Sequence, residues 1–179
     1  MMDRVNVVGT SGSGKSTFAR QLAEALGQSY VQLDALYWGP DWMPVPEEKF
    51  IGSIRRAVVA DRWVVDGNYS RHRELIWSRA SHVIWLVFSF PIVMYQLFFR
   101  TMRRSLMGEE LFSGNRESLV KAFFRRDSIL LWGLTTFRRR RGEYRRIIRE
   151  RRYPSIEIIV LSSPHQAHRF LERLQRTSS

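Results

Sequence analysis

The run Gly9-Thr10-Ser11-Gly12-Ser13-Gly14-Lys15-Ser16-Thr17 places three glycines, a lysine and hydroxyl residues in the spacing G-x-x-x-x-G-K-[ST]. The chemistry this spacing supports is anion binding. Gly9, Gly12 and Gly14 let the backbone turn so that successive N–H groups point inward, and a helix starting at the end of the run adds its positive dipole end. Lys15 then reaches the β- and γ-phosphates of a nucleoside triphosphate, and Ser16 ligates magnesium through its hydroxyl. The expectation is a nucleoside-triphosphate site built from residues 9–17.

Two carboxylates and a set of arginines are the other groups able to act on a phosphoryl centre. Ligands of open parallel sheets sit beyond the carboxyl ends of the strands. Asp34 follows Tyr30-Val31-Gln32-Leu33 and Asp66 follows Trp63-Val64-Val65, so both are expected on the edge that carries the phosphate loop. There each could reach the metal-bound triphosphate or the group receiving the phosphoryl; the alternative for each is a helix cap or turn. Arg100, Arg103, Arg104, Arg116, Arg125 and Arg126 form a cationic group, within which Arg100 and Arg104 share a helix face. Positive charge of this kind stabilises the oxygens of a transferring phosphoryl; a solvated basic face is the alternative. Arg138 to Arg141, with Arg145, Arg146, Arg149, Arg151 and Arg152, are too dense to be all catalytic and read as a solvated face, a nucleic-acid or other anionic contact being the alternative. Tyr37, Trp38 and Trp42 either pack their loop onto the sheet or line an acceptor pocket. His72, His82, His165 and His168 show no metal-ligand spacing.

These groups need a scaffold, and the hydrophobic pattern supplies one. Val5-Asn6-Val7-Val8 reads as a buried strand, and Phe18, Leu22, Ala25 and Leu26 fall on one side of a helix after the loop. The chain continues as strand 30–34, helix 47–60, strand 63–66, helix 72–79, strand 82–88, helix 91–106, a polar stretch 107–118, helices to about 152, strand 155–161 and helix 164–176. Strand–helix alternation with apolar strands implies a parallel sheet covered on both faces. Residues 35–46, rich in proline and aromatics, and 106–118, with Gly108 and Gly114, interrupt the pattern as long irregular loops, which are often functional.

Composition narrows the class. At 179 residues, 44% hydrophobic and 26% charged, the chain suits one soluble globular domain. The absence of cysteine excludes disulfides and thiolate metal sites. No signal peptide is recognisable, so a cytoplasmic location is expected. Val83 to Phe99 is an uncharged stretch of 17 residues, but Pro91 divides it into a β-branched and aromatic strand and an apolar helix capped by Ser89, so no membrane span is expected. The net charge of +12 is concentrated in the second half: residues 1–90 carry 10 Lys/Arg against 9 Asp/Glu, and residues 91–179 carry 19 against 8.

Taken together, GTSGSGKST, LDALYWGPDW (33–42), WVVDGNYSR (63–71), RTMRR (100–104), GNRES (114–118) and RRDSILLW (125–132) resemble the adenylate-kinase-like P-loop proteins known as topology modulation proteins, the FlaR-like group. The resemblance runs through most of the chain. It implies the three-layer α/β P-loop NTPase fold shared with nucleoside monophosphate, shikimate and gluconate kinases: a five-stranded parallel sheet with helices on both faces, an acceptor-binding region at 35–61 and a short arginine-rich lid at 104–125, all within one domain, 1–179. It places Val65-Asp66-Gly67 where adenylate kinases carry an Asp-Gly on the third strand. It places Ser162-Ser163-Pro164 in the loop that passes beside the adenine. The chain departs from those kinases in having Trp85-Leu86-Val87 where many carry an acidic residue on the fourth strand. The expected activity is transfer of the γ-phosphoryl of Mg-ATP to a small acceptor. Lys15 holds the β/γ-phosphates, Ser16 and Asp66 hold Mg²⁺, Thr17 lies by the α-phosphate, Asp34 orients or deprotonates the acceptor, and Arg100, Arg104, Arg125 or Arg126 close over the transferring group. The alternative is a nucleic-acid-associated regulatory protein for which ATP is a conformational ligand.

Overall fold

The computed structural model describes residues 2–115 and 129–178, with side chains described for all of these but 129–136 and 177–178. Five strands form one sheet: β1 (Arg4–Gly9), β2 (Ser29–Gln32), β3 (Trp63–Asp66), β4 (His82–Leu86) and β5 (Glu157–Leu161). Their order is β2-β3-β1-β4-β5, and every neighbouring pair is parallel. The period-2 alternation of strand side chains explains why the strands are apolar throughout. Val5, Val7, Val64, Ile84 and Leu86 face one core, whereas Val8, Trp63, Val65, Val83 and Trp85 face the other. Asn6, only 2% exposed, lies among them because its amide is satisfied: it donates to the Val65 carbonyl at 2.9 Å and accepts from the Trp77 indole at 2.8 Å.

Parallel strands need crossovers, and helices cover both faces. The first core is closed by α1 (Lys15–Leu26) through Phe18 and Leu22, by Val93 of α5 (Phe90–Met107), and by Ala167 and Leu171 of a C-terminal helix (Pro164–Ser178). The second is closed by α3 (Glu47–Ala57) through Phe50 and Ile54, and by α4 (Arg73–Trp77) through Ile76 and Trp77. The helix Ile129–Arg149, here α6, reaches both: Phe137 enters the first core, Tyr144 and Ile147 the second. The C-terminal helix is α7. This is the three-layer α/β architecture expected from the sequence.

One local reading differs, and two others gain detail. β2 stops at Gln32, and Leu33–Tyr37 coil into a short helix, α2, so Asp34 lies in a helical first turn and not at a strand end. An acidic residue in the first turn followed by Ala35 and Leu36 favours that outcome, and Leu33 anchors it at 0% exposure. Gly108 is the left-handed C-terminal stop of α5, with φ 59°. The stretch at 83–99 divides into the buried strand β4 and α5 as expected, with Ser89 at the N-cap position but making no side-chain cap bond, and no described helix is long and apolar enough to cross a membrane.

Candidate functional site

β1 delivers the chain to the phosphate loop at the carboxyl edge of the sheet, between β3 and β4. Gly12 and Gly14 adopt φ of 83° and 78°, conformations that L side chains rarely take. Gly12 has a second reason to be glycine: a Cβ there would stand 2.8 Å from both Leu97 Cβ and the Val93 carbonyl, where α5 rests on the loop. Ser13 N donates to the Thr10 carbonyl at 3.1 Å, tightening the turn. α1 then begins at Lys15 with no side-chain cap and no acidic residue in its first turn. Among the described residues, the amides of Lys15, Ser16 and Thr17 have no acceptor, and the buried Ser13 hydroxyl has no partner. A helix N-terminus with its donors unmet beside a lysine is the donor set that a phosphate group fits.

The loop is held from behind by a residue that sequence reasoning passed over. Asn68 accepts from Gly9 N at 2.9 Å through Oδ1 and donates Nδ2 to the Gly9 carbonyl, a two-sided grip on the first glycine. Tyr144 of α6 donates its hydroxyl to the same Oδ1 at 3.3 Å and stacks on Trp85 with ring centres 5.5 Å apart. Burial pushes the Tyr144 hydroxyl up to about 12, so it remains a donor.

Asp66 ends β3 beside the loop and is 3% exposed. Burial raises its pKa, and the charge of Asp34 adds to the rise. Lys15 and hydrogen bonds from Ser16 and Tyr30 oppose it. Tyr30 donates to Asp66 Oδ2 at 3.2 Å, and Ser16 Oγ accepts from Gln32 Nε2 at 3.2 Å. Ser16 therefore sits between Asp66 and Gln32, with a hydroxyl and a carboxylate converging. A hard cation that keeps most of its waters and takes the rest of its oxygens from phosphate suits so sparse a set, as magnesium does. Among the described residues, no cluster of three or more His, Cys, Asp or Glu offers a closed metal cage.

The raised Asp66 pKa carries a stability consequence. Folding holds this proton more tightly than the unfolded chain does. The stabilisation is therefore full below the ordinary aspartate value of about 3.9 and is lost as pH rises through the elevated native value. Ligand-free Asp66→Asn should accordingly melt a few degrees above the wild type at pH 7, with the gap closing toward pH 4. It should also lose most of the extra stabilisation that magnesium adds to ATP. Thermal melts across pH, with and without Mg-ATP, check both; a variant less stable than the wild type at pH 7 contradicts the assignment.

Asp34 marks a second pole. Tyr69 donates its hydroxyl to Asp34 Oδ1 at 2.7 Å, and burial, then the Asp34 charge, drives the phenol pKa upward, so it too stays a donor. Tyr37, Phe50 and Tyr69 pack with ring centres 4.8–5.1 Å apart, fixing α2 on the sheet. Trp38 packs edge-on against Tyr37 at 4.8 Å and Trp42 against Trp38 at 5.8 Å, so the three aromatics form one chain of ring contacts. Arg140 of α6 lies near enough to feel the Asp34 charge. It is half-buried; burial lowers its pKa, while the Tyr144 hydroxyl and the charges of Glu143 and Asp34 oppose that. Arg138 and Arg139 are exposed. Within the run, Arg140 and Arg141 are both half-buried, so the solvated-face reading holds for Arg138 and Arg139 and not for these two.

The remaining expected site residues divide. Arg100 is partly buried and shares the α5 face of Val93 and Leu97, which meets the phosphate loop. Arg104 lies 3.9 Å from Glu109, and Arg103 lies 3.6 Å from the same carboxylate. Arg116, Arg125 and Arg126 lie outside the described residues, as does the 116–125 part of the expected lid. Thr10 is buried in the loop, Ser11 is half-buried, and Thr17 is exposed as the third residue of the helix. Ser162 and Pro164 follow the edge strand β5. Ser162 donates its amide and hydroxyl to Gln166 Oε1 at 2.8 and 2.9 Å, and Pro164 is the first residue of α7.

No protein-family model and no curated sequence matches the chain. Solved structures do match its fold. A shikimate kinase from Acinetobacter baumannii, in complex with shikimate, superposes with a TM-score of 0.58 at 14% identity, over 99% of this chain and 93% of that one. A shikimate kinase from Bacteroides thetaiotaomicron gives 0.57 at 13% identity, over 99% of each chain. A gluconokinase from Sinorhizobium meliloti 1021 gives 0.52 at 20% identity, over 99% of this chain and 95% of that one. At these identities the likeness is one of fold.

Proposed function

We propose that the chain is a magnesium-dependent phosphotransferase that moves the γ-phosphoryl of ATP to a small hydroxylated acceptor. The observation that carries this reading is the two-pole edge. One pole is a phosphate loop with unmet amides beside Lys15, Ser16 and Asp66; the other is a carboxylate, Asp34, held by Tyr69 and within electrostatic reach of Arg140. The kinase names of the neighbouring folds agree with it. Within that fold, the motif runs favour the topology-modulation (FlaR-like) type, with one domain over 1–179, acceptor binding at 35–61, and a cytoplasmic setting. The exposed turn at Ser162 and Pro164 is the proposed adenine side.

In this mechanism Lys15 and the first-turn amides bind the β- and γ-phosphates, and Thr17 lies by the α-phosphate. Ser16 and Asp66 would hold magnesium, which when bound would supply positive charge against the triphosphate. Asp34 orients the acceptor hydroxyl and takes its proton as the oxygen bonds to the γ-phosphorus. The bond from that phosphorus to the bridging oxygen breaks, and ADP leaves. Arg100 stabilises the phosphoryl from the α5 side; Arg104, Arg125 and Arg126 are further proposed partners. The guanidinium of Arg140 suits an anionic group on the acceptor.

Acceptor-dependent ADP release, measured over a panel of small hydroxy acids, polyols and nucleosides against a blank without acceptor, tests the reading. The arginines refine it. Arg140→Ala should raise the acceptor KM by ~10- to 100-fold, the loss of a charge-assisted hydrogen bond, with ATP affinity within about twofold. Arg138→Ala with Arg139→Ala should alter neither. The opposite pattern, with salt-sensitive nucleic-acid binding lost in the double variant, would favour the regulatory alternative.

A further inference from the structure

Two of the runs singled out in the sequence, LDALYWGPDW and GNRES, meet in space through one buried side chain. Asn115 is 6% exposed, and its amide is fully used. Nδ2 donates to the Gly39 carbonyl at 2.8 Å and to the Phe112 carbonyl at 2.7 Å, and Oδ1 accepts from Trp42 N at 3.0 Å. Ser113 adds a bond from its hydroxyl to the Trp38 carbonyl at 2.8 Å. Both partners are in unfavourable backbone conformations at the junction: Asp41, Trp42 and Ser113 have φ of 54°, 57° and 56°. Non-glycine residues keep such angles only where the surroundings impose them. On the loop the Asn115 amide bonds on either side of Asp41, together with the backbone bonds from Gly39 N to the Met43 carbonyl at 2.8 Å and from Met43 N to the Pro40 carbonyl at 3.0 Å.

We propose that Asn115 is a positioning residue that clamps the aromatic loop Trp38–Met43 to the C-terminal extension of α5, so that the acceptor pole and the phosphate loop are set by one connected unit. The connection can be followed through the molecule. Gly12 of the phosphate loop bears on Val93 and Leu97 of α5. α5 runs to Met107, and the turn after it returns to Asn115, whose carbonyl accepts from Leu111 N at 2.7 Å. Asn115 then holds Gly39 and Trp42, and the loop they bound follows α2, which carries Asp34. Calling its two ends phosphate and acceptor poles rests on the proposed function; the clamp itself does not.

The chemistry makes the side chain specific. Asn115→Asp keeps the shape but replaces both donors with oxygen, turning a carboxylate toward two carbonyls. Asn115→Ala leaves the Gly39 carbonyl and Trp42 amide without their partner. Hydrogen exchange resolved by peptide, on the ligand-free protein, is the test. In both variants, exchange over 38–43 should accelerate about tenfold or more, although Trp42 lies 73 residues away in sequence, while β1 and α1 keep wild-type protection. If Asn115→Ala also lost protection in β1, the exposed Ser113→Ala carries the same test, with acceleration expected over 38–43. An effect confined to 108–115 would overturn the clamp.

A second arm separates coupling from mere scaffolding. Magnesium adenylyl-imidodiphosphate should slow exchange over 38–43 in the wild type. Asn115→Ala should bind it with an affinity within about twofold yet show no slowing of the loop. Equal slowing in both proteins would overturn the coupling. A wild type that binds no nucleotide in calorimetry would defeat the proposed function, and the ligand-free exchange would still decide the clamp.

Discussion

Asp34→Asn is expected to lower kcat for acceptor phosphorylation by ~10²–10⁴-fold, the usual worth of a positioned general base, while the KM for ATP changes little. The variant keeps the shape of the side chain and can still accept the 2.7 Å hydrogen bond from Tyr69, so the aromatic packing around α2 should persist. What it loses is the capacity to take a proton from the acceptor hydroxyl. Steady-state kinetics with each substrate varied in turn measure this. An effect on ATP and magnesium dependence with kcat preserved would show that the roles of Asp34 and Asp66 have been exchanged.

Lys15→Ala is expected to weaken Mg-ATP binding by ~10- to 150-fold, the worth of about 1.5–3 kcal/mol for a hydrogen bond to a charged group. Lys15 is only half-buried at the start of α1, so its removal leaves no void and the fold should be retained. The lysine also counters the upward drift of the Asp66 pKa, so the variant should bind magnesium more weakly at a given pH. Titration calorimetry on both proteins checks the affinity, and circular dichroism the fold. Equal affinity in the two would remove the phosphate-loop assignment.

How far these groups were legible in the sequence depended on whether the signal was local. The phosphate loop is contiguous, and its strand and helix flank it directly, so nine consecutive residues specify both conformation and donor set. Asp34 was legible in position but not in setting, since β2 ends two residues earlier and α2 begins. Asn68, Asn115 and Arg140 were not legible, because their partners lie far away in the chain: Gly9 is 59 residues from Asn68, and Gly39 is 76 from Asn115. A polar residue inside a polar loop gives no sign of such a partner. Arg140 left a faint trace. Phe137, Tyr144 and Ile147 mark the buried face of α6, and Arg140 falls within it at three residues after Phe137 and four before Tyr144. A run of like charges obscures that period, because consecutive residues on a helix point in different directions.

Asn68 shows why motif runs carry more than their catalytic letters. In WVVDGNYSR the aspartate faces the phosphate loop from the strand end, the asparagine grips its first glycine, and the tyrosine holds Asp34. Three successive polar roles, set by the end of β3 and the turn after it, join both poles of the site to one segment.

Under the proposed function, the γ-phosphoryl leaves ATP for a small acceptor at this edge. Incubating the protein with magnesium and ATP labelled in the γ-phosphate, over a panel of small hydroxylated acceptors, tests it most directly. Label should appear in one acceptor class, formed in step with ADP, absent without magnesium, and reduced by at least about two orders of magnitude in Asp34→Asn. Label released only as inorganic phosphate at a rate indifferent to every acceptor, or unchanged transfer in Asp34→Asn, would contradict it.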